Sequence, residues 1–317
     1  MWTVYETCHY VLDPSLADNS SKKPIKIAAF DVDWTLTYGE CHLFPRLADD
    51  IHLLPNRLEV LEKLVKKGYI LVAFTNQSSR STKEDKIKQQ RMETLLEKVH
   101  GLSLFMATRK GDGYRKPEKG MWNVMTSLLK RPIDMEASFF CGDALGRPGD
   151  FSDSDRGFGE ASGLKVVEPE ELFGTFDPAS LTALLVKPKT LVLFVGAPGT
   201  GKSSLYREAL EPKGFVHLNQ DTLKTKAKVH GAFIKAVNGG QSICLDATHP
   251  KWCDRDYYYS AAMSQDYDII TLYFVRDGRR WNSLRDKPVS TMAYHVFFKY
   301  LDPPVPDYTP GTLLRVW

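Results

Sequence analysis

The chain has 317 residues, 43% hydrophobic and 26% charged, with a formal net charge of +3, which allows about two domains with a core each and excludes collagenous or low-complexity architectures. A pI near 8.4 permits a polyanionic partner without demanding one. Five cysteines, odd in number and without a C-x-x-C pair, argue against a disulfide frame or zinc site and for a reducing compartment.

Residues 1–24 are polar and irregular, ending in Asn19-Ser20-Ser21-Lys22-Lys23-Pro24, and read as a leader. Residues 1–20 lack a basic start followed by an apolar core, and no apolar run approaches the roughly 18–20 residues a bilayer needs, so a soluble intracellular protein is expected. From residue 25 short β-rich runs recur at 25–30, 69–75, 102–107, 137–141 and 164–167, with amphipathic stretches such as 57–67 and 83–100 between them. That alternation predicts a doubly wound, mainly parallel sheet. A helical segment follows at 178–185, and Lys187-Pro188-Lys189 makes a boundary. The second half repeats the pattern, with strands at 190–195, 215–218, 242–245 and 269–275. The expected organisation is a leader at 1–24, an α/β domain at 25–186 and a second α/β domain at 187–317.

In open α/β sheets ligands gather at the carboxyl ends of strands, and four candidate residues sit at or after such ends. Asp31, in Asp31-Val32-Asp33-Trp34-Thr35, is a candidate nucleophile for an acyl-phosphate route. Asp33 can shuttle the proton, first as acid and then as base. Thr75 offers a hydroxyl donor and Lys116 a point charge for phosphoryl oxygens. Asp143, in Phe140-Cys141-Gly142-Asp143, would hold Mg2+ with Asp31 and its neighbour Asp33, since Mg2+ favours oxygen ligands. A lone D-x-D-x-T motif carries little weight; the ordered set of four resembles the haloacid dehalogenase superfamily.

The second half opens on Gly196-Ala197-Pro198-Gly199-Thr200-Gly201-Lys202-Ser203, a complete G-x-x-x-x-G-K-S match between a strand and a helix. There backbone N–H groups and the helix start cradle phosphates of ATP, Lys202 reaches the β- and γ-phosphates, and Ser203 ligates Mg2+. Asp221 follows the next strand and is a candidate base for an acceptor hydroxyl; Asp246 ends another strand and supports the metal. Arg276, Arg279, Arg280 and Arg285 form a candidate lid over the transferring phosphoryl group.

Taken together the chain resembles the polynucleotide kinase 3′-phosphatase family, from residue 25 onward. The likeness rests on Phe74-Thr75-Asn76-Gln77, Tyr114-Arg115-Lys116-Pro117, Gly120-Met121-Trp122 and Gly142-Asp143-Ala144-Leu145-Gly146-Arg147-Pro148 in the first half. In the second half it rests on residues 196–203, 217–222, 246–250 and Pro288-Val289-Ser290. The resemblance implies a haloacid dehalogenase-like (Rossmannoid) phosphatase domain joined to a P-loop kinase domain. It also implies Mg2+ and ATP as cofactors, removal of 3′-phosphate and phosphorylation of 5′-hydroxyl on DNA ends during strand-break repair, and nuclear residence. Repair scaffold or ligase proteins are the implied partners of a monomer, with no membrane.

Five positions depart from the family's pattern. Trp34 stands in place of glycine, where an indole would narrow the entrance or stack on a terminal base. Gln220 replaces an arginine before the kinase base, Asp246-Ala247-Thr248-His249 replaces Asp-Asn-Thr-Asn, and Ser283 replaces a lid arginine. The first reading is a bifunctional end-healing enzyme and the second a 3′-phosphatase whose degenerate kinase half only binds nucleotide or DNA. A DNA-end scaffold with both sites silent, against which intact Asp31, Asp33, Lys116, Asp143 and Lys202 speak, and a small-molecule phosphatase fused to an unrelated NTPase are weaker alternatives. Basic and aromatic segments at 223–228 and Tyr257-Tyr258-Tyr259 suit single-stranded ends.

Overall fold

The computed structural model describes residues 1–18, 20–40 and 47–317. The chain divides into two compact units, Met1–Gly39 with Phe44–Gly174 and, for the bulk of the second, Thr175–Trp317. No helix among the described residues is long and apolar enough to cross a membrane. Cys8, Cys141, Cys244 and Cys253 carry free thiols, while Cys41 and Asn19 lie outside the described residues.

The first unit contains β1 (Thr3–Tyr5), β2 (Cys8–Val11), β3 (Lys26–Phe30), β4 (Thr37–Tyr38), β5 (His52–Leu53), β6 (Tyr69–Asn76), β7 (Leu102–Ala107), β8 (Phe139–Cys141) and β9 (Lys165–Val167). Seven of these form one sheet in the order β1-β2-β7-β6-β3-β8-β9, and β4 pairs with β5 as a separate hairpin. The strands from β7 to β9 run parallel, while β2 joins β7 antiparallel and β1 joins β2 antiparallel. Parallel strands covered on both faces need continuous apolar runs, and Ile27-Ala28-Ala29-Phe30 and Leu71-Val72-Ala73-Phe74 supply them fully buried. Phe74, Phe105, Phe140, Phe158 and Trp122 meet in the core beneath this sheet.

The second unit has five parallel strands in the order β11-β12-β10-β13-β14. They are β10 (Thr190–Gly196), β11 (Val216–Asn219), β12 (Ile243–Asp246), β13 (Asp268–Phe274) and β14 (Thr312–Val316). All seven residues of β10 are buried. In each sheet the chain leaves the central strand, β3 or β10, to build first one side and then the other. The crevice beside that strand's carboxyl end is where such sheets receive ligands.

Three expectations need correction. Residues 3–11 are two strands of the first sheet rather than an irregular leader, because Cys8–Val11 pairs register by register with β7. The unit break falls after Gly174, not at 186: the helix Pro178–Thr182 puts Leu181 into the second core, and Phe176 N–H donates to the Trp317 carbonyl at 3.0 Å. A strand at Thr312–Val316 closes the second sheet where sequence periodicity predicts none.

Candidate active sites

Asp31 is the first residue past β3, and its N–H donates to the Cys141 carbonyl of the neighbouring strand at 2.8 Å. Its carboxylate is ion-paired with the buried Lys116 ammonium, which also lies 2.7 Å from Asp155. Lys116 is held from both sides of its backbone by one side chain. Its N–H donates to Asn76 Oδ1 at 2.9 Å and its carbonyl accepts from Asn76 Nδ2 at 3.1 Å. Burial is the largest influence on Asp31 and raises its pKa; Lys116 opposes, Asp155 and Asp33 add to the rise, and the result is about 7. Burial disfavours the charged form of Lys116, yet its two carboxylate partners prevail and hold its pKa above the usual lysine range.

Oxygen atoms of Asp31, Asp143 and Asp155 lie within 4.8 Å of one another. Asp155 was not anticipated. It lies in the helix Ser154–Ala161, and its Oδ2 accepts from Ala144 N–H at 3.0 Å. It reaches the site because residue 142 is glycine: a Cβ there would fall 2.5 Å from the Asp155 carboxylate. Asp33 stands apart from this trio. Arg91 Nη2 donates to its Oδ1 at 2.5 Å and Gln77 Nε2 donates to its Oδ2 at 2.6 Å. Burial works against the Asp33 charge, but Arg91 and Gln77 prevail and hold its carboxyl below the usual carboxylate range. The carboxylates that cluster with Asp31 are thus those of Asp143 and Asp155, while the Asp33 side chain is turned to Arg91 and Gln77. Gln77 also donates to Thr75 Oγ1 at 2.9 Å, which leaves the Thr75 hydroxyl hydrogen to be donated elsewhere.

Trp34 does not line an entrance. It is only 8% exposed, and its backbone lies at φ +65°.

At the end of β10 the phosphate-type loop runs into the helix Lys202–Leu205, which continues through a π-helical turn at Tyr206–Leu210. Lys202 Nζ is buried and donates to the carbonyls of Gly196 (2.9 Å) and Ala197 (2.6 Å). Burial lowers its pKa to about 8, Asp246 opposing and Arg285 assisting. Asp246, the last residue of β12, gathers three donors on one oxygen: Ser203 Oγ at 2.6 Å, His217 Nε2 at 3.0 Å and Asn219 Nδ2 at 3.1 Å. Asn219 turns its Oδ1 to the Asp221 N–H at 2.7 Å, so one amide ties the candidate base to the candidate metal support. Asp221 itself is exposed.

The lid region packs on the loop through backbone. A Cβ on Gly199 would lie 2.2 Å from the Gly278 carbonyl, and the Tyr294 hydroxyl donates to Pro198 O at 3.0 Å. Of the candidate lid arginines, Arg279 is held by Asp277 at 2.6 Å, and Arg276 and Arg280 lie over the Trp281 ring at 5.1 and 4.5 Å. The charge of Arg285 weighs on Lys202. Among the aromatic candidates Tyr258 and Tyr259 are buried and Tyr257 is 40% exposed. Lys224, Lys226 and Lys228 are exposed.

Residues 26–173 match the family model described as Polynucleotide kinase 3 phosphatase. A protein of Acanthamoeba polyphaga mimivirus bearing the provisional name bifunctional polynucleotide phosphatase/kinase is 29% identical over 305 residues, covering 78% of this chain and 71% of its own. The bifunctional polynucleotide phosphatase/kinase of Schizosaccharomyces pombe is 31% identical over 272 residues, covering 78% of this chain and 66% of that one. An uncharacterized 20.8 kDa protein of Autographa californica nuclear polyhedrosis virus is 37% identical over 183 residues, covering 54% of this chain and 96% of that one. Over residues 26–173 the chain is therefore similar to the polynucleotide kinase 3 phosphatase family, and over 78% of its length to the bifunctional phosphatase/kinases.

The matched segment is the one that carries Asp31, Asp33, Thr75, Lys116, Asp143 and Asp155 together with Arg91. Asp155 and Arg91 escape a reading of the sequence for different reasons. Asp155 follows a loop rather than a strand, and Arg91 sits in a run of polar residues that reads as a solvated helix face.

Proposed function

We propose that this chain heals DNA ends, removing 3′-phosphate in its first unit and phosphorylating 5′-hydroxyl termini with ATP in its second. The observation that carries the reading is the placement of Asp31 at the end of β3, in contact with Lys116, with Asp33 and Thr75 fixed on either side of Gln77.

The donor set fits Mg2+: Asp31, Asp143 and Asp155 offer only carboxylate oxygens, the ligand type this ion prefers. Bound there, it would supply positive charge to the phosphoryl oxygens. The chain's own residues do the rest. A carboxylate oxygen of Asp31 forms the bond to phosphorus while the bond from phosphorus to the 3′-oxygen breaks, and Asp33, which Arg91 and Gln77 hold ionised at rest, gives that oxygen a proton it has first taken up from solvent. Asp33, now a carboxylate, takes a proton from water as the water attacks the acyl-phosphate; phosphate leaves and both aspartates are restored. Lys116 and the Thr75 hydroxyl hold the phosphoryl oxygens throughout.

In the second unit Lys202 serves the β- and γ-phosphates, and Ser203 with Asp246 offers oxygen ligands for the nucleotide's Mg2+. Asp221 takes the proton of the 5′-hydroxyl, and Arg279 and Arg285 are the lid arginines for the charge on the transferring phosphoryl group. Gln220 bears on the acceptor side of this reaction and Ser283 on its lid, whereas the donor-binding loop is complete.

Two oligonucleotides test the reading. One carrying a 3′-phosphate should release phosphate without ATP, and one carrying a 5′-hydroxyl should take label from γ-labelled ATP. Absence of phosphate release would sink the first half. Absence of label at saturating ATP would leave a 3′-phosphatase with a nucleotide-binding second unit.

A further inference from the structure

Arg91 is 1% exposed although its helix, Thr82–Lys98, is otherwise rich in charged residues. Burying a guanidinium is costly unless it is paired and hydrogen-bonded. Its partners are specific: Nη2 to Asp33 Oδ1 at 2.5 Å, Nη1 to Asp33 Oδ2 at 3.5 Å, and Nε to the Asp50 carbonyl at 3.4 Å. With Gln77 on Oδ2 as well, both oxygens of Asp33 are engaged from fixed directions. A two-carbon side chain held at both oxygens keeps one rotamer, and the planar guanidinium fork supplies that geometry where an ammonium would not.

We propose that Arg91 is a positioning residue of the phosphatase, holding the Asp33 carboxyl in the orientation from which it protonates the leaving 3′-oxygen. The inference rests on the reading of Asp33 as the acid. It goes further by placing the control of that acid on a side chain that does not touch the phosphate. Leaving-group protonation matters for an alkoxide and hardly at all for a thiolate, which leaves without a proton. Aim at the leaving atom should therefore matter for a 3′-oxygen substrate and be nearly silent for a 3′-sulfur one.

The experiment compares two oligonucleotides that differ in one atom, a 3′-O-phosphate and a 3′-S-phosphorothiolate, through kcat/KM, which reports only steps up to loss of the leaving group. Arg91→Met should lower kcat/KM on the oxygen substrate by about 100-fold or more, the usual scale of general acid catalysis, and by less than about tenfold on the sulfur substrate. Arg91→Lys, which keeps the buried charge but not the fork, should recover part of the oxygen-substrate rate while still favouring the sulfur substrate relative to wild type. Should Arg91→Met not fold, that selectivity in Arg91→Lys decides alone. Equal losses on the two substrates, or no loss, would overturn the proposal and leave Arg91 a structural ion pair. Failure of the wild-type protein to release phosphate from either substrate would instead sink the reading of the site.

Discussion

At Trp34 two effects of opposite sign meet. A left-handed backbone at φ +65° strains any residue with a Cβ, at a cost of about 1–2 kcal/mol, and glycine escapes it. The indole, however, is buried, and truncating a buried tryptophan costs about 3–5 kcal/mol. Burial wins. Trp34→Gly should destabilise the first unit by about 1–4 kcal/mol, lowering its unfolding temperature by about 2–16 °C, even though the resemblance places glycine there. A rise in unfolding temperature would show that the strain outweighs the packing. His249 is a second left-handed position, at φ +39°, and its Nδ1–H donates to the Phe194 carbonyl at 2.9 Å. Burial lowers its pKa to about 4, with Arg255 adding to the fall. The unfolded chain protonates this imidazole near pH 6.5 and the folded chain does not until about 4. Its contribution to stability is therefore full above about pH 6.5 and is lost as pH falls toward 4, by about 2 kcal/mol at pH 5. Asparagine tolerates the left-handed backbone and takes up no proton. In His249→Asn the protection of the Thr190–Gly196 amides, corrected for intrinsic exchange, should change less between pH 7 and pH 5 than in wild type. An unchanged difference would mean that another group titrates.

Elements buried on both faces are the ones a sequence displays. The centres of β3, β6 and β10 appear as apolar runs, and β7 as one broken only by the buried Ser103, because parallel strands inside a two-sided sheet have no polar face to interrupt them. β1 has the opposite situation: Thr3-Val4-Tyr5 is an exposed edge strand, so it carries no burial pattern at all. Its hairpin nevertheless bears on the site. The Thr7 carbonyl accepts from the Thr108 N–H at 3.3 Å and hydroxyl at 3.0 Å, and Glu6 accepts from the Tyr114 hydroxyl at 2.7 Å. The loop from Thr108 to Tyr114 that delivers Lys116 is thus tied to residues that read as a leader. The candidate site divides along the same line. Asp31, Thr75, Lys116 and Asp143 are legible because they follow strands. Asp155 and Arg91 arrive from helices, and only the fold brings a helix side chain to a particular carboxylate.

On the scale of the whole molecule, each unit has its own sheet, its own core and its own complete set of candidate groups. Asp31, Asp33, Thr75, Lys116, Asp143 and Asp155 all belong to the first unit; Lys202, Ser203, Asp221, Asp246 and Arg285 all belong to the second. A chain that removed and added phosphate at one position would only consume ATP, so separate sites must serve separate termini. Single substitutions should then be separable. Asp31→Asn removes the attacking oxygen's charge and leaves the loop at 196–203 untouched. It should lower phosphate release by at least about 1000-fold, the scale of losing a nucleophile, with transfer from ATP unchanged. Lys202→Ala removes the buried ammonium that serves the nucleotide phosphates and should lower transfer by about 100-fold or more, the scale of losing one preorganised electrostatic contact, with phosphate release unchanged. Both activities are read on the same preparation with one oligonucleotide bearing a 5′-hydroxyl and a 3′-phosphate. Loss of both from either substitution would contradict two independent sites.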